Sequence, residues 1–139
     1  MPGQSVFRQL EPLLEQVSKP IQYVGGELNS TVKEWDVAGD ATVRWALMYP
    51  DAYEVGVPNQ GVMILYEVLN ERPDTIAERT YSVWPDMEAA LRVAGLPQFT
   101  VDGHRAVGDF DLLGVSFSTE LGYTNLLTAL DLAGIPLHA

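Results

Sequence analysis

The sequence predicts an α/β fold, an open three-layer parallel sheet of flavodoxin-like, Rossmann-like strand order 2-1-3, ending before a fourth strand. Three observations predict it. β-rich runs and helix-period segments alternate three times between Thr42 and Ala133, the signature of a parallel sheet with helices on both faces. Turn signals separate the runs: Pro50-Asp51, Gly95 with Pro97, and Gly134 with Pro136. The 139 residues suit one domain with a real core, yet the chain stops straight after a helix, where a fourth strand is expected next.

The elements follow in order. Val6, Phe7, Leu10, Leu13, Leu14 and Val17 recur at helical spacing behind Ser5, an N-cap candidate. Pro12 interrupts them, so two short helical pieces or one kinked helix are expected. Residues 20–40 read as a connector, turning at Gly25-Gly26, Asn29-Ser30 and Gly39-Asp40. This divides the chain into an N-terminal helical arm and connector, 1–40, and a partial α/β domain, 41–139. Thr42–Tyr49 is the first strand. A helix at about 60–70 has Val62, Met63, Leu65, Tyr66 and Leu69 on its apolar face. Residues 76–82 form the second strand. Pro85 and Asp86 suit the first turn of the next helix, in a Trp84–Glu88 segment that caps it and buries one indole; Gly95 and Pro97 close it. A small hairpin fits 98–107, turning at Asp102-Gly103, with His104 as a turn residue. Leu112–Phe117 is the third strand, and a helix near 122–133 directs Leu126, Leu127, Leu130 and Ala133 inward.

Composition narrows the function classes. Eight Lys plus Arg against nineteen Asp plus Glu give a formal charge of −11, which repels phosphate backbones and anionic membranes. Direct nucleic-acid binding is therefore not expected. There are no cysteines, which excludes disulfides, thiol nucleophiles and cysteine-held iron–sulfur clusters within this stretch. The N-terminus lacks a basic region followed by an apolar block, and no apolar run reaches membrane-spanning length, so a cytoplasmic location is expected. The two histidines are far apart and make a poor metal site. No Gly-x-Gly-x-x-Gly, Walker-type or Gly-x-Ser-x-Gly element occurs.

In open parallel sheets ligands bind beyond the carboxyl ends of strands, where the strand order reverses. For order 2-1-3 the loops concerned are Tyr49–Asn59 and Ser116–Asn125. The first packs Asp51, Tyr53, Glu54, Gly56 and Asn59 together, although turns favour Asp, Gly and Asn on their own account. Glu120, Tyr123 and Asn125 straddle the start of the last helix, where Thr119 or Thr124 could cap. Glu78-Arg79 on the second strand reads as a partly exposed ion pair or an interdomain contact.

Asp51-Ala52-Tyr53-Glu54-Val55-Gly56 is similar to the Asp-x-His-x-x-Gly loop of cobalamin-binding domains, with Tyr53 in place of the His. Ser116-Phe117-Ser118 stands where such domains often carry Ser-x-Leu or Ser-x-Thr. Residues 19–30, 49–70, 77–88 and 109–137, in that order, resemble one group of radical S-adenosylmethionine proteins, in which this segment is a cobalamin-binding-like domain ahead of the radical barrel. The resemblance implies that Asp51, Tyr53, Glu54, Gly56, Ser116 and Ser118 line a crevice for cobalamin, Gly56 admitting the ligand close to the backbone. A phenol is a poor cobalt ligand beside imidazole, so any cobalamin would keep its lower face free of a protein nitrogen. S-adenosylmethionine and the [4Fe–4S] cluster would belong to a part of the parent beyond Ala139, and the radical barrel there would be the partner. The chain alone is not expected to be catalytic. Three readings remain: a cofactor-binding domain, a structural module docking on the barrel without cobalamin, and a receiver-like domain, which Asp51 alone serves poorly. An exposed edge on the third strand would also permit self-association.

Overall fold

A computed structural model of the chain describes residues 2–138. Three strands, β1 (Val43–Tyr49), β2 (Thr75–Tyr81) and β3 (Leu112–Val115), form one parallel sheet in the order β2-β1-β3. Val43 pairs with Thr75 at one end of β1 and Tyr49 with Tyr81 at the other, while Trp45 to Met48 pair with Leu112 to Val115. The expected α/β class and strand order are therefore present. β3 is shorter than the expected 112–117, because only Ser116 continues the pairing, through its N–H to the Met48 carbonyl (2.9 Å).

The helices are α1 (Phe7–Leu14), α2 (Ile21–Val24), α3 (Tyr53–Gly56), α4 (Gln60–Glu71), α5 (Pro85–Ala94) and α6 (Gly122–Leu132). Two hydrophobic cores are present. Leu47 and Ala77 meet Val62 and Tyr66 of α4 on one face. Elsewhere α1, α5, α6 and the 98–107 segment share a second core through Leu10, Leu13, Met87, Leu91, Phe99 and Leu132. The N-terminal arm thus packs against the α/β layers as expected.

Local signals account for three of the helix ends. Asn59 caps α4, its Oδ1 accepting from the Val62 N–H at 3.0 Å. Pro85 opens α5, and Gly95 closes it in the left-handed conformation at φ 69°. Pro12 neither breaks nor splits α1, which runs through it as one helix. Leu10 and Leu13, on either side of it, are both buried in the same core, and that burial offsets a helix-interior proline's cost of about 3 kcal/mol. Ser5 is not the N-cap residue. It accepts from the Phe7 N–H (3.2 Å) and forms an antiparallel bridge with Arg105. Neither Thr119 nor Thr124 caps α6, whose N-cap position is Leu121. The α6 face is also rotated from expectation: Gly122, Ala129 and Leu132 are buried, whereas Leu127 is 48% exposed. Leu132 fixes that rotation by entering the core beside Leu91. Trp84 is only half-buried, with the Lys19 ammonium 4.7 Å from its ring.

The hairpin exists, with Phe99 bridging Ala106 across it. Its left-handed residue is His104 (φ 51°) rather than Gly103. Gly103 is required for a different reason: a Cβ there would lie 2.8 Å from both carboxylate oxygens of Glu78. The hairpin also closes the outer edge of β2, where the Val101 N–H reaches the Arg79 carbonyl (2.8 Å). β2 is buried along its whole length as a result. β3 has no second strand beside it among the described residues, and Leu112 on it is 44% exposed.

Candidate functional site

β1 lies between the other two strands, so the order reverses at its carboxyl end and the loops after β1 and β3 meet there. Tyr49 donates its hydroxyl to Ser118 Oγ at 3.0 Å, and Asn125 donates to the Pro50 carbonyl at 3.0 Å. Asp51 and Ser118 line the same small cleft, of only about 10 Å³. Asp51 uses Oδ1 to accept from the Ala52 N–H (2.7 Å), bracing the turn into α3.

The remaining predicted residues turn elsewhere. Tyr53 donates its hydroxyl to the Glu27 carboxylate in the connector. Burial first, and the Glu27 contact second, push the Tyr53 phenol up to about 12. Burial works against the Glu27 carboxylate, but hydrogen bonds from Tyr53 and Ser30, with the nearby Arg79 charge, hold it below the usual carboxylate range. Glu54 accepts from Gln22 Nε2 at 3.1 Å. Gly56 packs inside the protein: a Cβ there would stand 2.4 Å from the Tyr81 ring and 3.2 Å from Tyr49 Cβ. Ser116 lies on the wall of a separate apolar groove. Of the six residues, the structure brings Asp51 and Ser118 together, while Tyr53 and Glu54 hold the connector and Gly56 seats Tyr81.

The crevice implied by the resemblance is closed in this arrangement. The cleft is far smaller than the few hundred Å³ typical of ligand pockets, and the phenol that would face the metal is committed to Glu27. Among the described residues no group of three His, Cys, Asp or Glu side chains is placed to hold a metal ion. No described helix is long and apolar enough to cross a membrane.

Sequence reasoning missed a buried charge network on β2. Glu78 and Arg79 are each 1% exposed and do not pair with one another. Successive strand residues point to opposite faces, so each needs its own partner. Arg79 donates to Asp102 through Nη2 (2.8 Å) and Nε (3.3 Å), and Asp102 also accepts the Arg79 backbone N–H (2.7 Å). The guanidinium lies 4.2 Å from the Tyr66 ring centroid. Burial opposes the Arg79 charge, but Asp102 more than offsets it and holds the group protonated. Glu78 accepts from Arg105, Thr100 Oγ1 (2.6 Å) and the Gly103 N–H (3.0 Å). Burial raises the Glu78 carboxyl, and Thr100 and Arg105 counter that in part. Asp102 beside a turn glycine was the available signal, because a charged pair inside a buried strand demands partners from a neighbouring turn.

One concave surface is strongly apolar. A groove of about 370 Å³ runs between α4 and the β1–β3 pair, lined by Trp45, Leu47, Leu65, Leu69, Gly114 and Val115. Ile64, Leu65 and Val68 extend it along α4, each at least half exposed. A continuous apolar surface beside an unpaired strand edge has the composition of an interface.

No curated protein and no solved structure matches the chain. Residues 61–139 match the family model described as radical SAM proteins, N-terminal. The matched span begins within α4 and carries β2, the hairpin and β3, while the Asp51–Gly56 loop precedes it. More than half of the 139 residues are covered, and the chain belongs to the family of radical S-adenosylmethionine protein N-terminal domains.

Proposed function

We propose that this chain is a non-catalytic accessory domain that docks on the catalytic barrel of a radical S-adenosylmethionine protein through the groove between α4 and β3. The observation that carries the reading is that groove, apolar and open beside an unpaired strand edge. Family membership supplies the occupant, since a domain of this kind stands N-terminal in radical S-adenosylmethionine proteins. The internal commitments of Tyr53, Glu54 and Gly56 support a structural role for the loop after β1.

Hydrogen exchange in the full-length protein tests this. Backbone amides of Leu113–Ser116 should exchange roughly tenfold more slowly there than in the isolated chain, equivalent to about 1.4 kcal/mol of added protection. Leu65→Asp should abolish the difference while leaving the isolated chain folded, because Leu65 is 51% exposed. Equal exchange in both contexts would refute docking at this surface. Slowing that instead grows with the concentration of the isolated chain would identify pairing of two copies along β3.

The meeting of the β1 and β3 loops at the switch point supports a second reading, cobalamin binding. It requires the Tyr49–Ser118 contact to open. Cobalamin taken up by full-length protein should then show the absorption of a cofactor without a nitrogen lower ligand, unchanged by Tyr53→Phe. A nitrogen-ligated spectrum would overturn the ligand argument, and absence of uptake would leave docking as the function.

A further inference from the structure

α4 carries more apolar surface than the sheet covers. Val62 and Tyr66 are its buried residues, packed on Leu47 and Ala77 of the sheet. One flank belongs to the connector, because Glu67 and Asn70 border a concavity with Asn29 and Thr31. The opposite flank carries Gly61, Leu65 and Val68, at i, i+4 and i+7. Residues so spaced form one stripe of the kind that packs against another helix. Leu65 is 51% and Val68 55% exposed. At Gly61 a Cβ would meet only Asn59 Oδ1, at 3.3 Å, so the stripe is open there to close approach.

The floor beside this stripe belongs to the sheet. Trp45 pairs with Leu112 and Leu47 with Gly114, which places Leu112 and Gly114 on the face that Trp45 and Leu47 share. Gly114 adds no side chain to that floor, and Leu112 is half-exposed on it. The groove therefore has two walls, a sheet floor and a helix flank. A strand joining the free edge of β3 would lie in the sheet plane, about 4.8 Å beyond it. It would not cover Val68, which stands about 120° round α4 from the sheet-facing Val62. A helix lying on the sheet beside α4, with about 8–10 Å between the axes, meets both walls at once. Charge narrows the choice of helix. The chain carries −11, so a second copy offering its own α4 is repelled, whereas a helix with Lys or Arg on its polar face is attracted.

We propose that the groove is filled by one amphipathic helix of the catalytic barrel, basic on its polar face and lying alongside α4, which rests on the docking function proposed for the same surface. Its apolar stripe takes the place of solvent over Leu65, Val68, Leu112 and Gly114.

Cysteine alkylation in the full-length protein tests which element docks. This stretch has no cysteine of its own, so the thiol introduced by Val68→Cys or Glu67→Cys is read alone in its peptide by mass spectrometry. Both positions are exposed on α4, the first on the groove flank and the second on the connector flank. Adding Leu65→Asp, which breaks docking, should raise the Val68→Cys alkylation rate roughly tenfold, because thiol reaction follows access. The Glu67→Cys rate should stay unchanged. A Val68→Cys rate unmoved by Leu65→Asp, while the Leu113–Ser116 amides still lose their protection, would overturn the helix and leave docking by an added strand. If neither reading moves, docking at this surface falls together with the helix. A Val68→Cys rate that rises on dilution would identify a second copy as the occupant and overturn the proposal as well.

Discussion

Asp102→Ala is expected to destabilise the domain by about 3–5 kcal/mol, the range for removing one partner of a buried ion pair. Asp102 has no exposed side-chain surface and accepts the Arg79 backbone N–H and two guanidinium donors. Its loss leaves a guanidinium that is 1% exposed without its main counter-charge, and Glu27, at 3.5 Å, is too distant and too exposed to replace it. The turn would also release the β2 edge, because Asp102 and Val101 together close that edge. Domains of this size have roughly 5–15 kcal/mol in total, so the midpoint should fall by on the order of 15 °C. Urea denaturation of the wild type, Asp102→Ala, Arg79→Met and the double variant checks it. The double variant should be more stable than the sum of the single losses predicts, since removing both charges leaves none stranded. Strict additivity, or a single-variant loss below about 1 kcal/mol, would show that the pair is not the closure of this edge.

Gly56→Val is expected to cost about 2–3 kcal/mol through overpacking, independent of any ligand. The first atom added at Gly56 already meets the Tyr81 ring at 2.4 Å. That ring cannot swing away cheaply, being 4% exposed and held edge-on by Tyr53 with centroids 5.6 Å apart. Gly56 sits in a helical turn, so a valine meets crowding rather than a forbidden backbone conformation. Tyr81→Leu should therefore recover part of the loss when combined with Gly56→Val, although Tyr81→Leu alone destabilises by opening a cavity. Thermal denaturation of the four proteins reads this directly. A Gly56→Val protein with wild-type stability would return the residue to the role implied by the cobalamin-type loop, a clearance for a ligand.

Much of the architecture was legible because it depends on neighbours in sequence. The alternation of strand and helix, the Asn59 and Pro85 helix starts, the Gly95 stop and the turn near Asp102-Gly103 all follow from backbone preferences of a few adjacent residues. The four spaced segments from Lys19 to Leu137 were also enough to place the chain among radical S-adenosylmethionine N-terminal domains, a placement the family match over 61–139 bears out. Side-chain roles in the loop after β1 were not legible. Tyr53 finds Glu27 26 residues upstream, and Gly56 is needed by Tyr81 on another strand. Arg79 and Glu78 are buried only because Asp102 and Arg105 arrive from 23 and 27 residues away. The continuity of α1 through Pro12 and the rotation of α6 away from Leu127 were likewise decided by the shared core of Leu10, Leu13, Leu91 and Leu132. Local pattern specifies which backbone conformation a segment adopts. Which polar side chain is spent on structure, and which acceptor such as Gln98 Oε1 is left without a protein partner, is set by contacts that only the folded chain brings within 3 Å.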